Sequence, residues 1–402
     1  MKRLIPIHEP AAQRSGLALW NLAFRPFFFA GNVFTILAML YWVSILVGWH
    51  LPTPYGGALF WHAHEMLFGF VVAIVVGFLL TAAQTWTGVP GLQGPLLGGL
   101  WGLWCLARIA MVLNAPATLV VFTDLLFIPL AAGYLTYQVV RSRNWRNGVF
   151  LLILGGLFTL NLVSHWSLRL SDHALTQWAF HTTVMLITVI MVVIGGRVIP
   201  MFTANGIGEQ RTLALAHLER AVFLLIPILL SLQIAQIWFA QVQPYLGFVL
   251  LSWGIANGWR WWRWLHRRAW RVPLVVSLHL AYGFIPLGLM LWGGALLLPY
   301  LPVSAGLHAL SAGAMGSLIL AMMSRVSLGH TGRALLPPGS MPFAFAAVWL
   351  AGILRIVVAI FTLPSSPLVW LVVGGLWSLG FGLFLWSYTR ILWSARADGL
   401  AG

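Results

Sequence analysis

The chain has 402 residues, enough for two or three soluble domains, yet 60% of them are apolar, 7% are charged and the mean hydropathy is +0.92. A soluble globule has about a quarter of its residues charged, so a soluble enzyme, a nucleic-acid-binding domain and a disordered chain are all excluded. What remains is an all-α polytopic membrane protein, and the net charge of +15 reflects basic loops with few acids rather than a nucleic-acid partner.

The first residues, Met1 to Pro26, are polar and show no signal-peptide pattern. Twelve runs of the length that crosses ~30 Å of hydrocarbon follow. They are 27–49, 62–84, 95–113, 117–138, 147–166, 175–199, 217–239, 245–262, 273–298, 304–325, 342–363 and 367–391. Helices are expected because lipid cannot satisfy exposed backbone N–H and C=O groups. The single cysteine, Cys105, lies inside an apolar run, which leaves no intrachain disulfide and no cysteine-based metal site.

Lys and Arg set the expected orientation. Lys2, Arg3, Arg14 and Arg25 precede the first span, and Arg390 and Arg396 follow the last. Between them, Arg141 to Arg146, Arg197 to Arg220, Arg260 to Arg271, and Arg325 with Arg333 mark alternate connections. Nineteen of the 22 basic residues then share one side, so both termini are expected to be cytoplasmic. Arg169 falls in an opposite loop, and Arg108 and Arg355 lie inside spans.

Internal similarity suggests one transmembrane domain, 1–402, built from three four-helix pseudo-repeats at about 20–140, 145–265 and 270–395. At an offset of 244 residues, His64 falls on His308, Thr87 on Thr331 and Gly88 on Gly332. Arg108 and Arg355 are 247 apart, and His181 lies 117 after His64.

Ionisable groups inside a membrane cost at least ~2.5 kcal/mol each at the centre of a span, so those present need a reason. On the expected orientation His62, His64, His181 and His308 lie near the outer ends of the second, sixth and tenth spans. Imidazole suits haem iron and copper, and few carboxylates or thiols compete. His62 and His64, two residues apart, face ~200° apart on a helix. Either they have separate roles or the helix start is unwound at Trp61. Glu65, three residues after His62, shares its face and is expected to hold its imidazole. Arg108 and Arg355 need anions, for which haem propionates are candidates, with Asp124 an alternative partner for Arg108. At the inner ends, "GGRVIPMFTANG" and "MMSRVSLGHTGR" each set an Arg beside a Gly-containing polar turn. Arg197, His279, Tyr282, Arg325, His330 and Arg333 are a second candidate group there.

The segments "LAFRPFFFAG", "WHAHEMLFGF", "TAAQTWTG", "GGRVIPMFTANG", "SLHLAYGFIPLG", "LHALSAGAMGSLILAMMSRVSLGHTGR" and "RADG" closely resemble the NnrS family, from about Leu22 to the C-terminus. The resemblance implies a bacterial inner-membrane haem- and copper-containing protein of nitrosative stress and denitrification. In plan the chain also resembles the catalytic subunit of haem–copper oxidases. The adjacent His pair of that family's seventh span has only His217 as a counterpart here.

The expected function is binding or turnover of nitric oxide, or protection from it, through haem b and copper. If catalytic, it is an oxidoreductase drawing on an electron donor. A haem-based sensor or electron-transfer protein, and a transporter of metal, haem or a nitrosyl species, are the alternatives. The expected haem ligands are His64 and His308, with Arg108 and Arg355 on the propionates. His62 with Glu65 is left for copper, together with His181.

Overall fold

The computed structural model describes residues 18–361 and 366–400. Lys2, Arg3, Arg14, the last two residues of the eleventh expected run and the extreme C-terminus lie outside them. Twelve long helices are present among the described residues, one for each expected run, and no strand. They are α1 Phe24–Leu46, α2 Ala58–Thr87, α3 Gly94–Val112, α4 Ala117–Ser142, α5 Val149–Arg169, α6 His173–Ile207, α7 Ala216–Ala235, α8 Gln243–Trp264, α9 Pro273–Leu297, α10 Val303–His330, α11 Met341–Ile360 and α12 Pro367–Trp393. All but α8, which carries Arg260 and Arg263 among its Trp residues, are long and apolar enough to cross a membrane. The protein is a multi-pass membrane protein.

Local sequence sets the helix ends. Pro at the first turn opens α3, α8 and α9, where a missing N–H costs nothing. Gly88 at φ 69° closes α2 in the left-handed conformation. Gly332 at φ 67° follows α10 at the same 244-residue spacing. The two helices share a further feature. Residues 65–71 of α2 and 309–315 of α10 are π-helical, again 244 apart. His64 and His308 each stand immediately before the wider turn.

Two expected polar turns are helical instead. Gly195–Gly206 lies within α6, which runs on to Ile207, and the Met322–Arg333 stretch stays helical to His330. A helix that satisfies its own backbone tolerates Gly195, Gly196 and even Pro200. At ~1.5 Å per residue, α6 spans about 52 Å and extends past the hydrocarbon.

The chain forms two compact units. One comprises residues 1–180, 323–341 and 381–402, the other 181–322 and 342–380. In the first, α1 packs on α2, α4 on both α3 and α5, and α2 also on α4. There α2 is the innermost helix: 83% of its most apolar stretch is buried, against 39% in each of α3, α4 and α5. In the second, α9 packs on α8 and on the first half of α10, and α7 on α8.

Candidate metal centre

The first unit gathers five ionisable side chains from four helices into one buried cluster. The regular turn Ala58–His64 points His64 inward, and the π-helical turn then carries Glu65 to the same side. Such turns leave backbone groups without helical partners and recur at functional sites. Here the indole Nε1 of Trp104 donates to the Gly69 carbonyl at 2.9 Å. Arg108 comes from α3 and Asp124 from α4. Asn161 and His165, four residues apart, share one face of α5. All of these side chains are buried.

Arg108 joins the two acids, its Nη1 donating to Glu65 Oε1 and its Nη2 to Asp124 Oδ1. Gly69 makes room for this, since a Cβ there would lie 2.8 Å from Arg108 Nη1 and 3.2 Å from Glu65 Oε2. The imidazoles flank the second Asp124 oxygen. His64 Nε2 is 3.3 Å and His165 Nε2 3.1 Å from Oδ2. Asn161 bridges the pair: its Nδ2 donates to Asp124 Oδ2 at 2.7 Å, and its Oδ1 lies 2.8 Å from His64 Nε2. His64 Nδ1 is 3.1 Å from Glu65 Oε1. Beyond the cluster, in the α1–α2 connection, Tyr55 Oη is 3.4 Å from His165 Nδ1. Burial, and then the Asp124 carboxylate, push that phenol above its usual range, so it stays protonated. Phe60 and Phe68 lie against the His64 ring with centroids 5.6 and 5.1 Å away.

His64, Asp124 and His165 offer ligand atoms within 4.8 Å of one another, the one such trio among the described residues. Bonds of about 2.0–2.1 Å to a tetrahedral ion place neighbouring ligands about 3.3 Å apart, close to the two separations found here. A second observation also suits a cation. Glu65 Oε2 is buried with no hydrogen-bond partner, and two carboxylates face one guanidinium. Two imidazoles and a carboxylate suit copper, zinc or iron.

The family model described as NnrS protein matches residues 18–396. The chain belongs to this family. No curated protein matches it.

The structure distributes the expected site residues differently from the sequence reading. His64, Glu65 and Arg108 meet, but Glu65 lies on His64 and Arg108, whereas the expected contact was with His62. His62 stacks on Trp42, with centroids 4.3 Å apart and planes at 10°. The turn at Trp61 is regular helix, so the two histidines do face apart and have separate surroundings. Arg108 is taken by Glu65 and Asp124, the alternative to a propionate. Both nitrogens of His64 face cluster side chains, which leaves no ring nitrogen turned to a macrocycle.

His181, His308 and Arg355 belong to the second unit. His181 meets the Trp292 ring edge-on at 5.8 Å. His308 Nδ1 donates to the Ser304 carbonyl at 2.7 Å. Of the inner group, Arg197, His279 and Tyr282 lie in the second unit and Arg325, His330 and Arg333 in the first. His279 Nε2 is 2.9 Å from Thr203 Oγ1, and Tyr282 donates to Asn257 Oδ1 at 2.8 Å. Arg333 Nη2 donates to Ser394 Oγ at 2.9 Å, and the His330 ring lies 5.8 Å from Phe24.

His165, Asn161 and Tyr55 are absent from the sequence reading. The signal for the first two was a polar pair at i, i+4 in an otherwise apolar run, the pattern of one inward face.

Proposed function

We propose that this chain is a copper- and haem-containing membrane protein that binds nitric oxide, with copper held by His64, His165 and Asp124. The observation that carries the reading is the buried trio itself, with both Nε2 atoms 3.1–3.3 Å from one carboxylate oxygen. Its charge favours a monovalent ion. With both imidazoles neutral, as metal ligation requires, Glu65 and Asp124 against Arg108 leave one negative charge, which a single positive charge cancels where uncompensated charge is costly. Copper supplies a one-electron couple and a soft site for a neutral diatomic.

The chain's own residues do the rest. Asn161 fixes the Asp124 carboxylate and orients His64. Glu65, pinned by Arg108, holds the other nitrogen of His64, the kind of outer support that tunes a ligand. Phe60 and Phe68 keep water off the His64 ring, and an apolar gas partitions readily into such an interior. Haem b completes the reading, since a single cysteine cannot form the covalent attachment motif. His64 is not its ligand, because both of its nitrogens serve the cluster. The matched π-helical turns and closing glycines of α2 and α10 support their descent from one repeated unit. The arginine distribution supports cytoplasmic termini, and the family suits a bacterial inner membrane.

The test is metal analysis of purified wild type and His165→Ala, followed by titration with nitric oxide under optical and paramagnetic-resonance detection. Wild type should carry about one copper per chain and His165→Ala at most about a tenth of that. Full copper in His165→Ala, or a wild-type spectrum unmoved by nitric oxide, would refute the reading.

A further inference from the structure

The α6–α7 and α8–α9 connections, both in the second unit, meet at one end of its helices. Arg268 Nη1 donates to Glu209 Oε1 at 2.7 Å, His266 Nε2 lies 3.1 Å from Glu209 Oε2, and Arg263 Nη2 donates to the Leu213 carbonyl at 3.1 Å. The surface they form is strongly basic. Residues 197–271 hold eight arginines against two glutamates, and residues 259–271 alone hold five arginines, five tryptophans and no acid.

The inward side chains fix this segment. Arg260 is buried, donates through Nε and Nη2 to the two Glu219 oxygens at 2.8 and 2.6 Å, and through Nη1 to the Val192 carbonyl at 3.0 Å. Gly196 makes room for it, because a Cβ there would collide with the guanidinium. Trp264 lies against both the Arg260 guanidinium and the Tyr282 ring, at 5.1 and 5.0 Å, and Trp261 Nε1 donates to the His279 carbonyl at 3.0 Å. Ala269 is buried under the short 3-10 turn Arg267–Arg271, and His266 Nδ1 accepts from the Arg268 N–H at 3.2 Å. A turn held in this way keeps its charges in one place.

The outward side chains make an amphipathic surface. Ile255, Trp259 and Trp262 follow at i, i+4 and i+7 on one face of α8, and they are 64%, 58% and 66% exposed. In a membrane protein such a stripe faces acyl chains, with tryptophan anchoring at the headgroup level. Directly beyond it the 3-10 turn exposes Arg267, Arg268, Trp270 and Arg271. Both nearby glutamates are already engaged, Glu219 by Arg260 and Glu209 by Arg268 and His266. Arg267 and Arg271 have no acid partner among the described residues. Four residues apart, they are separated by ~8 Å along a 3-10 helix. Guanidinium matches phosphate through paired hydrogen bonds, and basic clusters beside membrane helices attract anionic headgroups. Two uncompensated positive charges call for two negative ones, joined to apolar chains that cover the stripe.

We propose that the α8–α9 junction binds an anionic phospholipid with a two-phosphate headgroup, the diphosphatidylglycerol class. Arg267 and Arg271 hold the phosphates, Trp262 and Trp270 lie at the glycerol level, and the acyl chains run along Ile255 and Trp259. The site shares no residue with the metal cluster and does not depend on the function proposed above.

The test titrates the purified full-length protein in neutral detergent with diphosphatidylglycerol, phosphatidylglycerol or phosphatidylcholine and counts bound lipid by native mass spectrometry. The proteins are wild type, the pair Arg267→Gln with Arg271→Gln, the pair Arg267→Lys with Arg271→Lys, and a control pair, Arg141→Gln with Arg143→Gln, which removes the same charge from a connection of the first unit. Wild type should retain one diphosphatidylglycerol, hold phosphatidylglycerol more weakly and release phosphatidylcholine. The Gln pair should bind diphosphatidylglycerol about 30-fold more weakly, the worth of two arginines at a membrane surface. The Lys pair should fall between, and the control pair should match wild type. Circular dichroism should be the same for all four, since the replaced side chains are exposed. Excess inorganic phosphate should leave the lipid in place, because it has no chains to lie on the tryptophan stripe. Wild-type affinity in the Gln pair, an equal loss in the control pair, equal retention of phosphatidylcholine or full displacement by inorganic phosphate would each overturn the site, and none of them bears on the metal cluster.

Discussion

Arg108→Met should be among the most damaging single substitutions in this protein. The guanidinium is 6% exposed and bonds two carboxylates that are 0% and 2% exposed. Removing one partner of a buried ion pair costs about 3–5 kcal/mol, because the remaining charge is left uncompensated. Here one cation serves two acids, so the loss should lie near the upper end, about 5 kcal/mol. The triple variant Glu65→Gln, Arg108→Met, Asp124→Asn removes all three charges with nearly the same shape. It should return to within about 1–2 kcal/mol of wild type, since a neutral replacement of a buried ionic group is often close to neutral in stability. Unfolding titrations in mixed micelles, followed by tryptophan fluorescence, measure both. Added copper should restore part of the stability of the single variant, whose trio is intact, and none in the triple variant, which lacks the Asp124 carboxylate. A single variant that unfolds at the wild-type denaturant concentration, or a triple variant as weak as the single, would refute the electrostatic account of the cluster.

Gly69→Ala should lower both stability and copper occupancy. Its methyl group would lie 2.8 Å from an arginine nitrogen pinned by two carboxylates, and overpacking of this kind costs about 1–3 kcal/mol. Gly98→Ala, with no atom within 4 Å of the added carbon, should match wild type in the same assays. Near the C-terminus, hydrogen bonds from Arg396 hold the Asp398 carboxyl down at about 2, against 3.8 for the free group. A depressed carboxyl stabilises the fold above the unfolded value and loses that contribution as pH falls through the folded one. Amide-exchange protection of residues 394–400 should therefore hold above about pH 4 and decline between about pH 4 and 2; protection unchanged down to pH 2 would argue against the Arg396–Asp398 clasp. Reporter fusions after Gly148 and after Gly402 should give the same compartment signal, and opposite signals would overturn the orientation.

The sequence by itself determined the helices. Twelve apolar runs became twelve helices because in lipid each segment must satisfy its own backbone, a requirement local to that segment. It also marked His64, Glu65, Arg108 and Asp124 as costly residues in need of partners, and the two π-helical turns, which it did not foresee, fall at the same 244-residue spacing as its matched residues. Tertiary structure decided which partner each one meets. Glu65 was expected on His62 by helical spacing. It lies instead on its sequence neighbour His64 and on Arg108, 43 residues away, because the π-helical turn shifts the facing of the side chains. Asp124 meets His165 across 41 residues and Asn161 across 37. Such contacts depend on which helix faces which, and apolar periodicity is nearly silent on that point when every helix is apolar on all sides. His165 was missed for this reason: a lone histidine in an apolar run acquires its meaning only from the carboxylate that another helix brings to it.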